Sequence, residues 1–403
     1  MSIPATDALA RRNARIFATA QALGGATHSI VIASGGLVGQ YLAQNDALST
    51  LPVSITQLGV ALFTLPAAFL ARRAGRRTAS VAGMLVGAVC GALAAMAIIR
   101  GSFAMFCLST FLIGFNVATI QQYRFAAADA ATPAFKARAI SWVMMGGVFA
   151  AVIGPQTAIW TRDLLAPIPF AGVFVGHIIL ALICALVLTR LTDLEPATAS
   201  AAGSGPARPA GEIFRQPRLI AAIVCGLISY GLMSFAMTAA PLAIVACGYT
   251  PGEAWLGIQW HVLGMFGPSF FTGKFIDRYG KERVTAAGLL LLAASAAVAL
   301  TGPTSLAHFW IALTLLGIGW NFAFIGATAL VTDCYRPSER ALVQSVNDFS
   351  VFGTVALASF ASGQILNAGG WAVVNWIMYP ALAVAAGALL ISRVVRAKAA
   401  AAA

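Results

Sequence analysis

The sequence predicts an all-α membrane protein of twelve transmembrane helices arranged as two six-helix bundles. Three observations carry that prediction. Of the 403 residues, 60% are hydrophobic and only 9% are charged, against roughly 25% charged residues in a soluble domain. The apolar residues fall in runs of about 20, the length needed to cross a bilayer core. The second half of the chain also repeats the first. Arg72, Arg73, Gly75 and Arg76 correspond to Asp277, Arg278, Gly280 and Lys281 at an offset of 205, and Gly114-Phe115-Asn116 matches Gly319-Trp320-Asn321 at the same offset. Pro133 recurs as Pro337 and Arg138-Ala139 as Arg340-Ala341 with small gaps. Ordered matches of this kind mark an internal repeat.

Taken in order, the first half supplies spans over 16–41, 51–70, 79–99, 103–124, 139–160 and 169–190. Arg11, Arg12 and Arg15 precede the first run. That run exceeds a signal-peptide core, so it reads as an uncleaved helix. The fifth span carries Gly146, Gly147, Gly154 and Pro155, which read as small residues for close helix packing. Residues 191–217, rich in Ala, Gly, Ser and Pro, read as a flexible linker. It separates a bundle over 1–190 from a bundle over 218–403. The second half supplies spans over 219–246, 254–274, 284–301, 306–330, 342–366 and 372–392.

With both termini inside, all of the 25 Lys and Arg except Arg100, Arg162 and Arg124 fall on inner segments, and Arg124 sits near the inner end of its helix. This bias places the termini and linker in the cytoplasm of a bacterium, with the chain in the inner membrane. The net charge of +12 is therefore a topology signal and implies no nucleic-acid partner; the constant partner is membrane lipid.

Enzymatic chemistry finds no footing. Gly267 to Lys274 has five residues between its glycines and Phe275 after the lysine, so it fails the phosphate-binding loop pattern. The four His (28, 177, 261 and 308) lie in or beside spans. The six Cys form no CxxC, so no disulfide framework is expected. No cofactor is implied.

The stretch Cys225 to Lys274 carries the most pointed chemistry. Met233 and Met237 form one i, i+4 pair, and His261 and Met265 form another, each on one helix face. Met237 and His261 lie 12 residues either side of Tyr249, and Met233 and Met265 lie 16 either side. In an antiparallel hairpin the members of each pair share a depth. Two thioethers with a thioether and an imidazole form a soft, uncharged ligand set suited to Cu(I). Met also fills gaps in apolar helices. No carboxylate accompanies His261; Glu253 sits at the outer turn. Asp348, eight residues beyond Arg340, is the intramembrane acid placed for proton coupling, or for pairing with a base at the inner gate. Asp129 and Asp333 sit near inner helix ends at matching repeat positions, where gate or capping roles suit them.

Gly273-Lys274-Phe275-Ile276-Asp277-Arg278-Tyr279-Gly280-Lys281 resembles the loop signature of the major facilitator superfamily. The resemblance runs the length of the chain. In the first-half counterpart Ala68 replaces the glycine and Arg72 the aspartate. The resemblance implies two bundles rocking about a central site, with Asp277, Arg278 and Gly280 at a cytoplasmic gate. The MxxxM and HxxxM motifs are similar to the copper-importing, CcoA-like branch. That likeness implies copper as the transported substrate, Met233, Met237, His261 and Met265 as its ligands, and a role in assembling cbb3-type cytochrome oxidase. It also implies a cytoplasmic copper chaperone or reductant as partner. Cys247 and Cys225 extend the soft path as relay residues, or act as small buried hydrophobes. Riboflavin-importing relatives share the scaffold, and Trp255, Trp260, Trp320 and Phe324 would then stack on a planar ring. A sensor that binds copper without transporting it is the third reading.

Overall fold

The computed structural model describes residues 7–129, 131, 135–192, 207–302 and 304–401, and among them every regular element is helical. The first half comprises α1 (Asp7–Leu42), α2 (Leu51–Ala74), α3 (Arg76–Ile99), α4 (Phe103–Gln121), α5 (Tyr123–Asp129), α6 (Lys136–Thr161) and α7 (Ala171–Leu188). A short helix α8 (Ala210–Phe214) leads into the second half: α9 (Pro217–Ala246), α10 (Pro251–Phe266), α11 (Ser269–Tyr279), α12 (Lys281–Thr301), α13 (Leu306–Thr332) and α14 (Arg340–Ala401). Most of the expected linker, residues 193–206, and Pro133 of the repeat lie outside the described residues.

Among the described residues ten helices are long and apolar enough to cross a membrane. Two local breaks account for the remaining crossings. α14 bends at Gly370, whose φ of 74° is open to glycine but strained for other residues, so its two arms make separate spans. The span expected over 254–274 divides into α10 and α11 at Gly267–Pro268, because proline has no N–H to continue the helix ladder. Twelve crossings result, so the outer ends of the first and last helices, at Asp7 and Ala401, lie at one end of the bundle, the near end.

The repeat seen in the sequence recurs in the backbone. Gly75 joins α2 to α3 at φ 86°, ψ 157°, and Gly280 joins α11 to α12 at φ 88°, ψ 152°. Asn116 Nδ2 donates to the Gly83 carbonyl at 3.0 Å, and Asn321 Nδ2 to the Met265 carbonyl at 2.6 Å. Each buried amide ties its helix to a neighbour, the usual solution for a polar group inside a membrane bundle.

The glycines of α6 serve packing. A Cβ at Gly146 would lie 2.2 Å from the Ala18 carbonyl oxygen, and one at Gly154 2.8 Å from that of Ala26. α1 and α6 therefore approach backbone to backbone.

At the near end, charges lock the second half together. Asp333 accepts from Arg218 Nη2 at 2.8 Å and from Lys281 Nζ, joining α9, α12 and α13. Glu282 accepts from Arg396, adding the second arm of α14. Asp277 and Arg278 are exposed, and Arg278 lies over the Tyr279 ring, 5.4 Å from its centroid. The side chain of Asp129 lies outside the described residues. Arg208 forks onto Glu339 at 2.9 and 2.8 Å, and this bond holds the Glu339 carboxyl well below the usual carboxylate range.

Candidate functional site

The hairpin of α9 and α10 buries Met233, Met237, His261 and Met265. From His261 onward the polar contacts of α10 run to α13. His261 Nδ1 lies 2.9 Å from the Leu313 carbonyl oxygen, and Nε2 is buried without a hydrogen-bond partner. The two helices touch closely, since a Cβ at Gly317 would lie 2.2 Å from the His261 carbonyl oxygen. Asn321 then reaches the Met265 carbonyl and Ser269 Oγ, the latter at 2.7 Å. Among the described residues no three His, Cys, Asp or Glu converge on a metal-sized site. Cys225 Sγ faces the Ala385 carbonyl at 3.6 Å. Cys247 stands at the C-terminal end of α9, its N–H on the Ala243 carbonyl at 3.1 Å.

The seam between the halves is closed at the far end. Trp255 Nε1 of α10 donates to the Ala33 carbonyl of α1 at 3.1 Å. Gln156 of α6 donates to Gln259 of α10 at 3.0 Å, and Ser54 of α2 to Ser359 of α14 at 3.3 Å. Gln364 Nε2 donates to the Ala47 carbonyl at 3.2 Å. Phe170 meets Trp255 edge-on, 6.3 Å between centroids. Gly363 lets α14 lie against Thr50, where a Cβ would come within 2.2 Å of Thr50 Oγ1.

Toward the near end the same seam holds polar and aromatic groups with accessible surface. On the second half, Tyr230 of α9, Trp320 and Phe324 of α13 and Phe352 of α14 form one cluster. Tyr230 contacts the other three rings at 5.2, 5.0 and 6.1 Å, and Trp320 stacks on Phe324 at 5.3 Å with 15° between planes. Trp320 is 9% exposed, and its Nε1 has no hydrogen-bond partner. Counting along the helices, Tyr230, Trp320 and Phe352 stand about 18–20 Å from the near end, at mid-bilayer depth. Arg124 of α5, in the first half, acts electrostatically on both Tyr230 and Asp348. Arg124 and Asp348 are exposed, although both stand on helices of the bundle. Asp348 accepts from Asn347 Nδ2 at 3.1 Å, and Arg124 lies over the Phe125 ring, 4.7 Å from its centroid.

Of the aromatics singled out in the sequence, Trp320 and Phe324 meet in this cluster. Trp255 is spent on the far-end closure, and Trp260 stands apart at 45% exposure. Arg124, Tyr230 and Phe352 are additions from the structure. Arg124 had a signal of its own: an arginine between apolar runs is costly unless it faces a wet cavity or a partner.

Comparison with known proteins bears on fold and cargo. The family model described as Major Facilitator Superfamily matches residues 16–269 and 260–402. Riboflavin transporter RfnT of Brucella anthropi is 54% identical over 379 residues, covering 94% of this chain and 95% of that protein. The MFS-type transporter YdeG of Bacillus subtilis is 28% identical over 89% of this chain and 86% of its own length. Among solved structures, the nucleoside transporter NupG superposes with a TM-score of 0.70 at 15% identity, covering 94% of this chain and 99% of NupG. A bacterial homologue of the lysosomal transporter Spinster superposes equally well at 16% identity, covering 96% of this chain and 97% of that one.

The RfnT match overturns the expected copper cargo, and with it the copper-importing branch, the copper chaperone or reductant and the link to cytochrome oxidase. The physical reason is that spacing along one hairpin cannot distinguish a ligand set from apolar packing. The twelve-helix architecture expected from the repeat stands. This multi-pass membrane chain belongs to the major facilitator superfamily.

Proposed function

We propose that this chain is a secondary transporter of riboflavin, importing it by alternating access. The observation that carries this reading is the 54% identity to RfnT across 94% of the chain. The seam supplies compatible chemistry. A tricyclic flavin ring is planar and π-rich, and Tyr230, Trp320, Phe324 and Phe352 offer the flat and edge-on aromatic contacts that favour such rings. The distribution of basic residues supports a cytoplasmic near end and a bacterial inner membrane. The far-end seal then faces outward, and the seam opens inward. Asp348 serves as the proton-coupling carboxylate of this carrier, and Asp277, Arg278 and Gly280 belong to its cytoplasmic gate.

The test is uptake of labelled riboflavin by cells that cannot make it, with and without this chain. Expression should restore growth on low riboflavin, and unlabelled riboflavin should compete while excess copper should not. Uptake no greater than in cells lacking the chain, at verified membrane expression, refutes the reading.

A further inference from the structure

We infer that the near end of α2 and α3 holds an anionic phospholipid, its phosphate on Arg72, Arg73 and Arg77 and an acyl chain along α2.

The two halves of the repeat differ most at this corner. At an offset of 205, Arg72, Arg73, Arg76 and Arg77 stand where the second half has Asp277, Arg278, Lys281 and Glu282. Four positive charges thus correspond to two positive and two negative ones. In the second half these charges are met within the protein: Glu282 accepts from Arg396, and Lys281 donates to Asp333. Asp129 matches Asp333 in the repeat and cancels from the comparison. Topology requires no such excess in the first half, since the second-half loop holds the same end of the bundle with balanced charges. A cluster of four basic residues beside a spanning helix attracts anionic headgroups, each residue adding several-fold in affinity. Arg72, Arg73 and Arg77 are exposed, as contact with a headgroup requires.

Toward mid-bilayer from the arginines, α2 offers an apolar track. Leu58, Leu62, Leu65 and Phe69 are all exposed, and their spacing continues to Arg72 on one helix face. Arg73 lies over the Phe69 ring, 4.5 Å from its centroid, so the track runs directly into the basic corner. Leu62 to Arg72 is ten residues, about 15 Å of helix. That is roughly one leaflet of a 30 Å hydrocarbon core. A phosphate at Arg72 therefore sets an acyl chain against Leu62, Leu65 and Phe69. The second half interrupts the same face. Lys274 stands at the position of Phe69, and Gly267–Pro268, where the helix divides, match Leu62 and Phe63.

The corner also holds a polar cleft, lined by Ala67, Ala71, Arg76, Ser80 and Gln122. Ala67 and Ala71 stand where the repeat has Thr272 and Ile276, and the smaller side chains open the space. Gln122 Nε2 is buried without a hydrogen-bond partner, a donor that a headgroup oxygen completes.

The test offers the purified full chain, in detergent, equal amounts of dioleoylphosphatidylglycerol and dioleoylphosphatidylcholine, which differ only in the headgroup. Retained lipid is counted by native mass spectrometry. Wild type should prefer phosphatidylglycerol by about tenfold or more. R72Q/R73Q/R77Q should bring the two lipids within about threefold, whereas R72K/R73K/R77K, which keeps the charge, should retain most of the preference. K274Q/R283Q/K398Q removes three exposed charges from the near end of the second half and should leave the preference unchanged. Melting temperature in detergent establishes folding of each variant. Where the triple glutamine variant fails to fold, R72D decides, since installing the repeat's acid should lower the preference about fivefold on its own. Wild-type preference in the folded glutamine variant or in R72D, an equal loss in K274Q/R283Q/K398Q, or no preference in wild type overturns the inference. Displacement of phosphatidylglycerol by millimolar inorganic phosphate assigns the corner to a free anion and overturns it as well.

Discussion

The α9–α10 hairpin and the seam between the halves are built from similar materials and do different work. In the hairpin, Met233, Met237, His261 and Met265 are all buried, and the His261 imidazole and the Met265 carbonyl turn to α13 in the same half. In the seam, Arg124 comes from one half, Tyr230, Trp320 and Asp348 come from the other, and the two charges remain exposed. The first arrangement consolidates one half. The second is completed only where the two halves meet, which under the riboflavin proposal is where a carrier needs its binding site. Soft ligand chemistry in a sequence is thus a weaker guide than the side of the helix on which the second half meets the first.

The sharpest way to break this contrast is Trp320→Ala. If the aromatic cluster stacks the cargo, riboflavin half-saturation should rise about 10–100-fold, measured by proteoliposome exchange. A change below threefold would remove the cluster from recognition. The matching change in the hairpin is His261→Leu. It deletes the bond to Leu313 and should lower stability by about 1 kcal/mol, seen as a lower melting temperature in detergent. Riboflavin half-saturation should stay within about threefold; a larger rise would return the hairpin to the binding site.

Trp255→Phe probes the closed end. Removing the donor to Ala33 should shift the balance toward outward-open states by about fivefold. In a Thr50→Cys background, thiol labelling from the outside should accelerate accordingly, since Thr50 is fully buried here. Equal labelling rates would show that this bond does not hold the seal.

The smallest effect expected is at Glu339, which lies outside the spans. Its carboxyl is held below the usual range chiefly by the Arg208 side chain. A depressed carboxylate contributes stability above its unfolded value of about 4.3, and that contribution is lost as pH falls toward the folded value. Wild type should therefore lose melting temperature more steeply than Glu339→Gln between pH 6 and pH 4. Parallel curves would contradict the linkage.

Much of the fold was legible before any coordinates. Hydropathy marked the spans, and the 205-residue offset paired Gly75 with Gly280, whose backbone angles agree. The divisions of the span at Gly267–Pro268 and of α14 at Gly370 were less visible. Proline and glycine signal a break, but only packing decides whether the helix bends, stops or restarts. At the site, Trp320 and Phe324 were legible as aromatics, and Asp348 as an acid in an apolar run. Tyr230, Phe352 and Arg124 were not assigned to them. Their meeting depends on the rotation of α5, α9 and α14 about their own axes, which periodicity within one helix does not set.

The amino-acid sequence alone determined the membrane setting, the duplication and the crossing segments, because burial in lipid forces long apolar runs and local hydrogen bonding on any chain that enters it. Which polar and aromatic groups share a site was decided by tertiary structure. Arg124 comes within electrostatic reach of Tyr230 and Asp348, each more than 100 positions away, only when the two halves are set against each other. The physical reason is that each helix satisfies its own backbone locally, so its sequence leaves open which side it will turn to a partner.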